Sequence, residues 1–208
     1  MSRTAPRFSR LAAAAIVTVI ALPLVGCFST QVPAASPSAA SPSASETLTF
    51  AEGAGLSPTA FVEWGDGFMT DENWQTVSPD DGNGGWTYGT LDGACTAEFW
   101  QGNISDAPMV DGDDSASSDE MLALMVQSSA EEITPLATTG EFSTLVGGAG
   151  GVENRQVTGA EGDRSWMIAV RAFTQMEAVL YVIVDCNGAD AAATMDVVNE
   201  KNTIIVTE

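Results

Sequence analysis

Histidine is missing altogether from this 208-residue chain. Its absence removes the Ser-His-Asp and Cys-His arrangements and the imidazole zinc sites, which depend on a base or ligand that is neutral near pH 7. Positive charge is almost as scarce. Seven Lys and Arg stand against 28 Asp and Glu, and every acid lies beyond residue 45. Beyond residue 26 the only cations are Arg155, Arg164, Arg171 and Lys201. Such a chain repels phosphates and releases no counterions, which excludes nucleic acid as a partner. It attracts cations and basic partners instead. The sole lysine, Lys201, sits in a stretch that reads as a helix end, where it complements the helix dipole rather than activating a serine. Long apolar runs are lacking too: Leu11 to Leu22 is 12 residues, short of the roughly 20 that span a bilayer as a helix.

What is present at the N-terminus has a definite order. Arg3, Arg7 and Arg10 precede the apolar run, the pattern of an export signal over residues 1–26. The run leads into Leu24-Val25-Gly26-Cys27, which resembles the lipobox of bacterial lipoproteins. That resemblance implies cleavage before Cys27, a diacylglycerol (palmitate-type chains) on its sulfur, and residence on the extracytoplasmic face of the cell membrane. Two acyl chains satisfy the two-signal condition for stable anchoring. The use of Arg over Lys, with abundant Ala and Gly, fits a high-G+C genome and hence an actinobacterial envelope. Residues 27–45 then form a tether: ASPSA occurs twice and no residue is charged. A Ser/Pro/Ala stretch buries too little to fold and reaches up to roughly 50 Å when extended.

Residues 46–208 have the size of one domain. Cys95 and Cys186 remain once Cys27 is lipidated, and outside the cytoplasm such a pair oxidises. We expect a disulfide between strands distant in the chain. Strands are expected at 47–50, 86–91, 95–101, 152–158, 165–174, 178–186 and 203–207, with a hairpin turn at Asp92-Gly93. Ser117-Ser118-Asp119-Glu120 carries a capping-box pattern and predicts a helix over 118–128, with Leu122, Met125 and Val126 on one stripe. A second helix is expected over 189–200 with Ala193, Val197 and Met195 inward, and a third, short one over 58–64 capped by Ser57. The expected class is therefore α+β, an antiparallel sheet with two or three packing helices and one disulfide.

No motif for catalysis or for a cofactor emerges. The glycine run Gly147-Gly148-Ala149-Gly150-Gly151 lacks the Lys-Ser/Thr of a phosphate loop. Glu98, Glu153 and Asp185 lie within strands and are the acids a carboxylate hydrolase would draw on. Arg171 lies mid-strand and must find an acid partner, with Glu98 or Glu153 the expected ones, in a structural ion pair without an open pocket. Asp111, Asp113 and Asp114 begin like a calcium loop, but Ala116 and Leu122 stand where its glycine and bidentate glutamate belong. Asp80-Asp81-Gly82-Asn83 is a second acidic turn. Among five tryptophans, Trp74 and Trp86 flank a polar loop and Trp100 faces away from Cys95, making these three the candidate ligand platform, while Trp166 belongs to the core. Three functions fit: a binding or interaction module for an envelope protein or wall component, a carboxylate-based hydrolase, and a ligand-free structural accessory. The first agrees best with the tether, the acidity and the missing catalytic groups.

Overall fold

The computed structural model describes residues 47–80, 82–103, 108–144 and 150–207. The expected signal segment and tether, with Cys27, lie outside the described residues, as do Asp81 and most of the glycine run. Nine strands organise the described residues: β1 (Phe61–Trp64), β2 (Trp74–Ser78), β3 (Gly85–Thr90), β4 (Cys95–Asn103), β5 (Thr138–Ser143), β6 (Gly151–Glu161), β7 (Arg164–Phe173), β8 (Ala178–Asn187) and β9 (Ile204–Thr207). Seven of them make one antiparallel sheet in the order β2-β3-β4-β8-β7-β6-β5, while β1 and β9 pair as a separate ribbon. Four helices, α1 (Phe50–Gly53), α2 (Asp114–Met125), α3 (Ala130–Ile133) and α4 (Ala191–Lys201), are short. None is long and apolar enough to cross a membrane.

The expected α+β class is thus overturned: strands hold 44% and helices 25% of the described residues, so the fold is mostly β. The reason lies in the elements whose exposure hides them from pattern reading. In β2 only Trp74 is buried, and in β5 only Phe142 is, so neither edge strand shows the alternation of a half-buried strand. Residues 61–64, expected as a helix, pair with β9 instead, and Ser57 folds back on Thr59 rather than capping. Residues 47–50 make one parallel bridge, Leu48 to Val152, and then enter α1.

The central strands follow their sequence closely. Met167, Ala169 and Phe173 face one core and Ile168, Val170 and Ala172 the other, because successive side chains of a strand point to opposite sides. The ribbon and α4 cover the first face; α2 and α3 cover the second. Helix α2 starts earlier than expected. Asp113 caps it by accepting from the Ala116 amide, while Ser117, the expected cap, is buried within the helix and exchanges hydrogen bonds with the Val110 backbone. In α4 the buried residues are Ala191, Met195 and Val198, whereas Ala193 and Val197 are exposed. Cys95 and Cys186 are cross-strand partners on β4 and β8 and form the expected disulfide.

Candidate binding cleft

Two polar constellations stand out, and only one is open. The closed one sits where the sheet forks. Strand β6 pairs with β5 over Gly151–Gln156 and with β7 over Arg155–Glu161, so its first residues have left β7. Arg171 fills the gap. It donates through Nη1 to the Glu153 carbonyl (2.9 Å) and through Nη2 to the Thr49 carbonyl (3.0 Å) and Asp114 Oδ2 (3.1 Å). Its guanidinium carbon lies 4.4 Å from the Phe50 ring centre and 4.7 Å from that of Phe173.

The carboxylate partner is therefore Asp114, not Glu98 or Glu153. Glu153 contributes its backbone, and its side chain accepts from the Phe50 amide. Arg171 and Asp114 have no exposed side-chain surface. Burial pulls the guanidinium down to about 10, against the opposing pull of Asp114, and it stays charged at neutral pH. Asp114 Oδ1 also accepts from the amide and hydroxyl of Thr174. This inward commitment dismantles the calcium-like loop: Asp113 caps a helix, Asp111 is exposed, and no group of three acids or other metal-binding side chains converges among the described residues.

The open constellation lies on the other side of the disulfide, at the end of the sheet near β2 and β3. Asp66 follows β1 and precedes a 3-10 helix, Gly67–Thr70. That turn is held in place by Phe68, which packs on Trp74, Tyr88 and Phe99. The Gly67 amide donates to Asn202 Oδ1 at 2.8 Å. A side-chain carbon at Gly67 would collide with the Lys201 carbonyl, so only glycine permits the close approach. Asp66 then accepts a 2.5 Å hydrogen bond from the Tyr88 hydroxyl. Burial first, and Asp66 second, push the ionisation of that phenol well above its ordinary range.

Around this pair is a cleft of about 370 Å³ lined by Trp64, Asp66, Met69, Thr76, Pro79, Asp80, Trp86, Tyr88 and Gln101. Trp86 and Tyr88 share a face of β3 because they are two residues apart. One side of the Trp86 indole stacks on Phe99 at 5.7 Å and 14°. Its Nε1 is buried without a hydrogen-bond partner among the described residues, as are Arg171 Nε and the Asn154 amide at the fork. Gln101 fixes β1 by accepting from the Trp64 amide at 2.6 Å. The volume is at the lower end for small-ligand sites.

The three candidate tryptophans are not brought together. Trp74 is only 8% exposed and packs in the core against Phe68. Trp100 lies on the opposite face, stacked on Tyr181 at 5.5 Å, and donates to the Asn83 carbonyl. Of these three, Trp86 alone reaches the cleft; Trp166, expected in the core, is half-buried against Gly159 on the α2 side. Of the strand acids, Asp185 pairs with Arg164, Glu153 is used at the fork, and Glu98 is exposed. Sequence reasoning missed Asp66, Tyr88, Met69 and Gln101. The alternation in Trp86-Thr87-Tyr88 signalled a shared aromatic face, but nothing local places Asp66 beneath it, because that contact spans 22 residues.

No protein-family model matches the chain, and no curated protein matches it as a relative.

Proposed function

We propose that this chain is an exported lipoprotein, anchored at the cell membrane through Cys27, whose domain binds a small ligand in the cleft beside Asp66. The observation that carries the reading is the combination of an aromatic floor with two acids, Asp66 and Asp80, that no described cation neutralises. Anchorage rests on the order of Arg3, Arg7, Arg10, the apolar run and Leu24-Val25-Gly26-Cys27. A tether of residues 28–45 would let the domain sample ligands near the bilayer or wall. Two acids in one cleft also bring a carboxylate hydrolase to mind. That chemistry needs one carboxyl shielded so that it keeps its proton, and Asp66 and Asp80 are both exposed.

Both halves of the reading are testable. Cys27→Ala is expected to leave the detergent-rich phase or to accumulate uncleaved; a variant that stays anchored and processed would refute the lipoprotein assignment. For the cleft, the indole N–H resonances of the five tryptophans report ligand position. Against a panel of wall sugars, amino acids, amines and carboxylates, at least one compound should move Trp86 while leaving Trp166 in place. If none does, the ligand-free structural role is the better reading.

A further inference from the structure

Resting on the binding-module reading, we infer that the ligand class of this cleft is a small organic cation, an ammonium bearing methyl or methylene groups. The electrostatic balance of the molecule is the first ground. Each described cation is already engaged: Arg155 with Asp119, Arg164 with Asp185, Arg171 with Asp114 and Lys201 with Asp71. No basic residue lines the cleft, whereas Asp66 and Asp80 both do. An anion would meet two carboxylates without a counter-charge. A neutral ligand would give neither carboxylate a counter-charge while displacing the water that solvates them.

The walls supply the second ground. Trp64, Trp86 and Tyr88 border the space, and Phe99 supports Trp86 from behind. Aromatic faces carry negative potential and attract cations within about 6 Å, most strongly when the cation is poorly hydrated. Met69, 71% exposed at the rim, adds a polarisable thioether suited to methyl groups. A bare divalent metal fits poorly, since aromatic carbons offer no ligands and no group of three metal-binding side chains converges among the described residues. Tyr88 completes the arrangement. By donating to Asp66 it fixes the carboxylate's orientation without cancelling its charge.

The test is a titration of choline chloride into the full chain, purified in non-ionic detergent and read from the tryptophan indole resonances. Choline is expected to move Trp86 with millimolar affinity, while glucose and acetate at equal concentration leave it unmoved. Asp66→Asn and Asp80→Asn should each weaken choline by about tenfold, the size of a single close charge contact. Glu200→Gln, which removes an acid from exposed α4, should not. Equal weakening by Glu200→Gln would show a diffuse field rather than a site and would overturn the inference. If choline fails while a neutral or anionic compound from the panel moves Trp86, the cation assignment falls and the binding module stands. If no compound moves Trp86, both fall.

Discussion

The fork and the cleft each hold an aspartate against a donor from the sheet, yet they differ in how far its charge is answered. At the fork Asp114 meets a full cation, two Thr174 donors and no solvent. At the cleft Asp66 meets one neutral phenol and remains exposed. A buried ion pair adds little net stability, but removing one member strands the other, so the fork reads as architecture. It joins β7, β6, α2 and residues 47–50. An exposed carboxylate beside aromatic walls, by contrast, stabilises nothing that its loss would collapse. In a chain with four cations beyond residue 26, the fully buried pair is committed to the fork, and the two cleft acids have no cation partner among the described residues.

Removing the disulfide is the harshest way to break that contrast, because β4 and β8 stand between the two regions. Closing a 91-residue separation stabilises by about 4–5 kcal/mol in the chain-entropy treatment. The Cys95→Ala/Cys186→Ala variant should lose stability on that scale in urea unfolding, with fork and cleft melting together because they share one sheet. Separate transitions for Trp86 and for the fork would mean that they are independent units.

A more selective test strands the buried charge. Asp114→Asn keeps the shape and an acceptor for Thr174 but leaves Arg171 without its counter-ion, a change that costs about 3–5 kcal/mol in buried pairs. Arg171→Met strands Asp114 in the same way. The double variant Arg171→Met/Asp114→Asn should be less destabilised than the sum of the two, by about 2 kcal/mol or more in a double-mutant cycle. Additive losses would show that the pair is not a unit and would erase the distinction between fork and cleft.

These two regions also mark where sequence reasoning reached and where it stopped. Arg171 announces its need for an acid because a charge in the middle of an apolar strand is intolerable alone. Its partner was hidden, since Asp114 becomes available only when Asp113 rather than Ser117 caps α2, and the two caps carry equally good local signals. The disulfide was legible from Cys95 and Cys186 at matching strand edges. Edge strands β2 and β5 were not, being solvated on most of their residues. The cleft was half legible. Trp86 and the acidic turn at Asp80 were visible, but Asp66 joins them only through the packing of Phe68, a contact that no periodicity encodes.

The gentlest test changes Asp66 alone. Asp66→Asn should shift stability at neutral pH by about 0.5 kcal/mol or less, as exposed substitutions do, and its effect should appear instead in the phenol it touches. The chain has two tyrosines, Tyr88 and Tyr181. Burial first, then Asp66, raises Tyr88; burial first, then Glu98, raises Tyr181. A phenol whose folded value lies above its unfolded value of 10.0 keeps its proton longer in the native state. Its contribution to stability is intact below pH 10 and is lost as the pH rises further. Absorbance at 295 nm should therefore show neither tyrosine ionising at about pH 10 in the native protein and both doing so in urea. In Asp66→Asn the acceptor survives but the charge does not, so Tyr88 should ionise at lower pH than in the parent chain and still above an exposed phenol, because burial persists. Glu200→Gln should leave the curve unchanged. An Asp66→Asn curve identical to the parent would mean that the carboxylate exerts no field inside the cleft, and the contrast with the neutralised Asp114 would lose its electrostatic basis.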